Sequence, residues 1–297
     1  MKRFILACLL AAALPVHAGL RVFACEPEWA ALAKQLGGDK VDVYEATHAL
    51  QDPHRIEARP SLIARARSAQ LLVCTGAELE AGWLPTLLRE SGNAAIQPGR
   101  PGFFEAAQLV SRLEIPARID RGEGDVHASG NPHIQLDPRN LLAVAGPLAK
   151  RLGELDAANA GHYAERHQAF SDRMRAAIAR WELEAAPLKG ARVIAQHKSF
   201  GYLFHWLGLV EAGTLEPAPG IEPGSAHLAQ LVAQAKAQQV RLILRTPYDS
   251  PRPGGWLSER TGIPLVTLPF TVGGSARAQD LFGLFDDTIA RLKERTP

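Results

Sequence analysis

The sequence predicts an α/β protein of two lobes with parallel sheets, joined by a long rigid helix. Two observations carry that prediction. Short apolar, β-branched runs alternate with stretches of helical periodicity in both halves of the chain, the pattern of parallel strands linked by crossover helices. Between the halves, from Pro138 to about Glu184, runs a segment rich in Ala, Leu, Arg and Glu, a composition that favours helix.

Taken in order, the chain begins with Lys2 and Arg3, the apolar run Phe4 to Leu14, and small residues ending Val16-His17-Ala18. That order reads as a secretory signal peptide over 1–18, cleaved after Ala18. The apolar run is shorter than the about 20 residues needed to span a bilayer. The N-terminal lobe, 19–137, has strand-like runs at Leu20–Ala24, Val41–Ala46 and Leu71–Thr75. Its expected helices lie around Trp29–Leu36, Ser61–Ser68 and Leu79–Glu90. The linking helix, 138–185, starts favourably at Pro138, is kinked or restarted by Pro147, and is weakened by Gly161. The C-terminal lobe, 186–297, offers strands near Arg192–Gln196, Val240–Arg245 and Leu265–Leu268, with helices near Ala226–Gln238 and Asp280–Glu294. The polar, Gly-containing stretch Arg118 to Asn131 reads as a loop.

Charge and cysteine content narrow the function. The chain has 33 basic and 31 acidic residues, and without Lys2 and Arg3 the two signs balance at 31 each. No basic stretch suggests a nucleic-acid partner. Cys25 and Cys74, each at the end of an apolar run, remain after signal removal. In an oxidising compartment they are a disulfide candidate; two buried free thiols are the alternative, and a cysteine metal site is the third.

Three histidines share a setting. His54 stands in Asp52-Pro53-His54, His133 in Asn131-Pro132-His133, and His197 closes the run Val193-Ile194-Ala195-Gln196. Each follows a strand or loop end and precedes a helix-like stretch. Ligands of open α/β sheets bind beyond the carboxyl ends of strands, so side chains 79 and 64 positions apart can converge there. Neutral imidazole is a good zinc ligand. One such histidine alone is more often structural; the case rests on the three contexts together.

These segments resemble the zinc- and manganese-type solute-binding proteins of bacterial metal-uptake ABC transporters, the cluster A-I group. The resemblance runs over nearly all of the mature chain. It is carried by Asp52-Pro53-His54, Arg59-Pro60-Ser61, Gly76 with Leu79-Glu80 and Trp83, and Asn131-Pro132-His133 with Leu136-Asp137-Pro138. Gln196-His197-Lys198-Ser199-Phe200-Gly201-Tyr202, Gly220-Ile221-Glu222-Pro223 and Glu259-Arg260-Thr261-Gly262 add to it. The resemblance implies a metal site in the interlobe cleft, with His54, His133 and His197 as ligands. It also implies a periplasmic monomer that captures Zn2+ and delivers it to an inner-membrane permease. A third histidine is the zinc-type choice, where manganese-type members use a carboxylate. One departure stands out: many members carry an aspartate ligand in a late Leu-Asp-Pro, and here the matching stretch is Thr267-Leu268-Pro269. The fourth position is then left to water, to Asp249 or Glu222, or to His127, which stands where relatives carry a longer histidine-rich loop.

Three histidines with an open position also describe a catalytic zinc site, so a zinc hydrolase is the alternative from another class. The chain has no His-Glu-x-x-His, no Gly-x-Ser-x-Gly and no Walker-type phosphate loop. A metal chaperone or sensor working without a transporter is the other alternative.

Overall fold

The computed structural model describes residues 19–117 and 127–295. The signal segment 1–18 and positions 118–126 of the polar loop lie outside the described residues. Two four-stranded parallel sheets are built with one topology. The first comprises β1 (Leu20–Ala24), β2 (Val41–Glu45), β3 (Leu71–Cys74) and β4 (Phe103–Glu105), in the order β2-β1-β3-β4. The second comprises β5 (Arg192–Ala195), β6 (Val210–Thr214), β7 (Leu242–Arg245) and β8 (Leu265–Thr267), in the order β6-β5-β7-β8. The helices are α1 (Pro27–Gly37), α2 (Pro60–Ser68), α3 (Leu84–Ser91), α4 (Pro138–Leu155), α5 (Ala160–Ala185), α6 (Gly201–Leu207), α7 (Ser225–Ala237), α8 (Pro251–Thr261) and α9 (Leu281–Arg295). No described helix is long and apolar enough to cross a membrane.

Alternation along each strand divides the apolar residues between two layers. Leu20, Val22, Leu71 and Val73 face inward, as do Val193, Ala195, Leu242 and Leu244, and all of them join one core with α1, α4, α5 and α9. The opposite faces close on smaller outer cores. Phe23, Cys25, Leu72 and Cys74 pack with Leu62 of α2 and Leu87 of α3. Ile194 and Ile243 pack with Leu231 of α7 and Leu257 of α8. A core shared between the sheets means that the two lobes do not have separate hydrophobic interiors.

The linking segment differs from the single helix expected over 138–185. It folds as α4 and α5, joined through a tight turn at Ala157–Asn159 and packed along each other. The break falls at Asp156, not at Pro147, which α4 carries within its length. The Asp156 carboxylate accepts hydrogen bonds from Asn159 Nδ2 and the Tyr163 hydroxyl, both at 2.7 Å, a local alternative to helix continuation. The 26-residue α5 is the bridging helix, touching α1 on one side and α9 on the other. The helix expected over Leu79–Glu90 begins only at Leu84, because Ala77 and Glu78 take left-handed backbone angles and Pro85 favours a helix start.

Candidate metal centre

The three histidines arrive from different parts of the fold. His54 lies in a short helical turn after β2, where Asp52 accepts the His54 backbone N–H at 3.0 Å and Trp83 Nε1 donates to the Pro53 carbonyl at 3.2 Å. His133 precedes α4. Gly130 turns the chain into it at φ +95°, a position where a Cβ would meet the Leu113 carbonyl at 2.7 Å. His197 follows β5 and leads through a short turn into α6. Asn131 ties the segments together: its Oδ1 accepts the His133 N–H at 2.9 Å, and its Nδ2 donates to the Lys198 carbonyl at 2.9 Å.

One ring nitrogen from each of His54, His133 and His197 lies within 4.8 Å of the other two. Ring centroids are 5.3 Å apart for His54 and His133, 5.9 Å for His133 and His197, and 6.0 Å for His54 and His197. Two of the rings are oriented by carboxylates. Asp52 Oδ1 lies 2.8 Å from His54 Nδ1, and Glu216 Oε2 lies 2.7 Å from His197 Nδ1. A carboxylate at Nδ1 fixes the proton there and leaves Nε2 with its lone pair for a metal, the usual support of a metal-bound imidazole. Glu216 Oε2 also accepts the Gly220 N–H at 2.8 Å. His133 differs: its Nδ1 is buried without a hydrogen-bond partner, and Phe270 packs edge-on against the ring at 5.2 Å.

The electrostatics follow from these surroundings. Burial, reinforced by the other imidazoles, holds His133 well below the ordinary histidine range, so its ring is neutral at neutral pH. Burial pulls His197 in the same direction, but the Glu216 carboxylate together with Asp249 and Asp52 outweighs it and the net shift is upward. Burial would raise Asp52, yet its contacts with His54 carry it below the usual carboxylate range. A cavity of about 590 Å³ opens beside the rings, lined by His127, His133, His197, Asn131 and Lys198 among others.

The additional candidates separate clearly. His127 reaches the cluster from one side, its Nε2 3.1 Å from His54 Nε2 and its ring 5.1 Å away. Asp249, on the loop after β7, has its carboxyl pushed up by burial and turns Oδ2 to the Thr246 N–H at 2.7 Å. Glu222 is exposed. Neither carboxylate belongs to the group of converging ligand atoms. Leu268, at the position that the resemblance matches to an aspartate, is fully buried in the core and offers no ligand atom. Of the other histidines, His48 is exposed, while His162 and His227 bond the Gly37 and Thr214 carbonyls, each at 3.0 Å. Glu216 was not anticipated from sequence. A carboxylate just past the end of β6 is the signal for it, but β6 itself is hard to read.

A two-lobed α/β frame with three convergent imidazoles in its cleft defines the metal-binding class of transporter solute-binding proteins. The chain belongs to the family described as zinc-uptake complex component A, periplasmic (ZnuA), whose model matches residues 22–295. It is accordingly a substrate-binding protein of a metal ABC transporter, binding a metal ion and working with a membrane permease, and is not an enzyme. Among curated relatives, the metal ABC transporter substrate-binding lipoprotein SloC of Streptococcus mutans is 23% identical over 265 residues, covering 88% of this chain and 83% of SloC. The high-affinity zinc uptake system protein ZnuA of Bacillus subtilis is 25% identical, covering 83% and 77%. The manganese protein PsaA of Streptococcus pneumoniae is 23% identical, covering 85% and 80%. A crystal structure of ZnuA superposes with a TM-score of 0.79 at 22% identity, covering 94% of this chain and all of that one. The laminin-binding adhesin Lmb of Streptococcus agalactiae gives 0.75 at 21% identity, with coverage of 94% and 100%. The α/β two-lobe fold and the Cys25–Cys74 disulfide agree with the sequence reading.

Proposed function

We propose that the chain captures Zn2+ outside the cytoplasmic membrane and hands it to the permease, with His54, His133 and His197 as ligands. The observation that carries the choice of metal is the donor set: the converging ligand atoms are all imidazole nitrogens. Imidazole suits zinc, whereas manganese favours oxygen-rich sites. The relatives' names divide between zinc and manganese, so they support a metal carrier without choosing the ion. His127, beside His54 but outside the converging trio, is an auxiliary residue at the loop side of the site in this reading. In this reading the chain is exported by the segment 1–18, acts as a periplasmic monomer, and has no nucleic-acid partner.

The test is a competition titration of signal-free, metal-stripped protein with zinc, manganese, copper and nickel. One tightly held zinc per chain, weakened by orders of magnitude in His133→Ala with the circular dichroism unchanged, is the expected result. Preference for manganese, or undiminished zinc affinity in His133→Ala, would overturn it.

A further inference from the structure

The N-terminal sheet has its own topological switch point, and the histidine centre does not fill it. The chain leaves β1 through α1 on the inner face and leaves β3 towards α3 on the outer face. The carboxyl ends of β1 and β3 therefore bound the crevice where open α/β sheets take ligands. At those strand ends, buried within the outer core, lies the disulfide between Cys25 and Cys74, with Glu80 and Glu26 beside it. The two sulfurs and one Glu80 carboxylate oxygen all lie within 4.8 Å of one another, and all three residues are buried.

A disulfide that only welded two strands would need no acidic company. Here two dry carboxyls sit against it. Glu80 accepts the Thr75 N–H at 2.7 Å and the Gly76 N–H at 3.1 Å, which aims its oxygens at the ends of the strands. Glu26 takes the Thr75 hydroxyl at 3.2 Å through Oε2, while its buried Oε1 accepts no hydrogen bond. Glu26 and Glu80 both accept the Thr75 N–H, at 3.3 and 2.7 Å, which brings two buried carboxyls together beside the bridge, an arrangement that a cation stabilises.

We propose that Cys25, Cys74 and Glu80, with Glu26 beside them, form a second binding site for a soft divalent cation such as Zn2+, closed by the disulfide and opened by its reduction. The gate is thiol–disulfide exchange. A dithiol reductant gives two hydrogens to the bridge, the S–S bond breaks into two thiols, and the reductant leaves as its own disulfide. Zn2+ then binds two thiolates and the Glu80 carboxylate, releasing the two thiol protons. Zinc–sulfur bonds of about 2.3 Å and zinc–oxygen bonds of about 2.0–2.2 Å suit ligand atoms already this close. Sulfur donors make the site more selective against manganese than an imidazole site. The inference stands independently of the histidine centre.

The test uses Co2+ as the probe on the full chain lacking residues 1–18, prepared once oxidised and once reduced, anaerobic and counted at two free thiols. The histidine centre contains no sulfur, so a thiolate-to-cobalt charge-transfer band reports only the second site. The expected result is that band, with one further equivalent of Co2+, in the reduced protein alone. It should be lost in Cys25→Ser and weakened in Glu80→Gln. A reduced protein that binds no additional cobalt, that gives no band, or that stays unfolded with or without cobalt overturns the proposal. So does a band that persists undiminished in Cys25→Ser.

Discussion

The two lobes repeat one sheet, with strand orders β2-β1-β3-β4 and β6-β5-β7-β8, yet they spend the equivalent strand ends differently. In the N-terminal sheet the ends of β1 and β3 are fastened by the Cys25–Cys74 disulfide, and His54 of the histidine cluster stands apart, beyond β2. In the C-terminal sheet the ends of β5 and β7 carry no covalent tie, and His197 stands two residues past the end of β5. Both lobes then converge on one solution for holding an imidazole, a carboxylate at Nδ1: Asp52 for His54 and Glu216 for His197. The difference teaches that the fold fixes where a ligand can be placed, while local side chains decide how rigidly it is held.

Removing the covalent tie should have the largest effect. The bridge spans 49 residues, and for a loop of that size the chain-entropy model gives about 4 kcal/mol of stabilisation. The double variant Cys25→Ser/Cys74→Ser should therefore unfold at a clearly lower denaturant midpoint, with zinc affinity changed much less because neither strand end carries one of the proposed histidine ligands. An unchanged midpoint would mean that the apolar packing of the N-terminal outer core, and not the bridge, distinguishes the lobes.

Next come the two orienting carboxylates. Partners of this kind are worth about 10- to 100-fold in metal affinity. Asp52→Asn and Glu216→Gln should each weaken zinc binding by that order. Glu216→Gln should cost more, because Glu216 Oε2 also holds the Gly220 N–H and with it the loop after β6. Isothermal titration of both variants decides the ranking. A larger loss in Asp52→Asn would show that the loop bond contributes nothing to ligand placement. Affinity of wild type and variants alike should fall in acid, as protons compete for the imidazoles.

Legibility in the sequence followed the strength of the local signal. β3 is an uninterrupted apolar run, and β1, β5 and β7 each carry a single arginine (Arg21, Arg192 and Arg245) among apolar residues, so all four were readable as strands. β4 is three residues long, and β6 carries Glu211 and Gly213, so neither shows a period that can be distinguished from loop. Helix α8 holds Pro251, Pro253 and the pair Gly254-Gly255, which local propensity assigns to a turn; it forms because Leu257 is buried against the C-terminal outer core. His54, His133 and His197 were legible because each stands in a distinctive local context. Their supports were not. Glu216 is 19 residues from His197 and meets it only because β5 and β6 are neighbours. The division of α4 from α5 likewise depends on Asp156 reaching Tyr163, a contact that composition does not announce.

The last comparison concerns a polar tie between the lobes, whose effect appears only as pH rises. Glu28 on α1 accepts the hydroxyl of Thr271, in the segment after β8, at 2.5 Å. Burial pushes its carboxyl from 4.5 up to about 7, with Glu80 and Glu45 adding to the rise. Below about pH 4.5 both the folded and the unfolded chain carry the proton, and the tie is at full strength. Between that pH and about 7 the unfolded chain ionises first, so its contribution to stability is lost as pH rises; above 7 both states are ionised and the slope ends. Glu28→Gln keeps the acceptor for Thr271 and removes the charge. The variant should therefore match the wild type at low pH and exceed it above pH 7 by on the order of 3 kcal/mol. Denaturant midpoints measured from pH 4 to 8 check this. A residual slope is expected from Glu26 and Glu80, whose carboxyls burial also raises. An undiminished slope would assign the whole pH response to that pair at the strand ends and none to the tie between lobes.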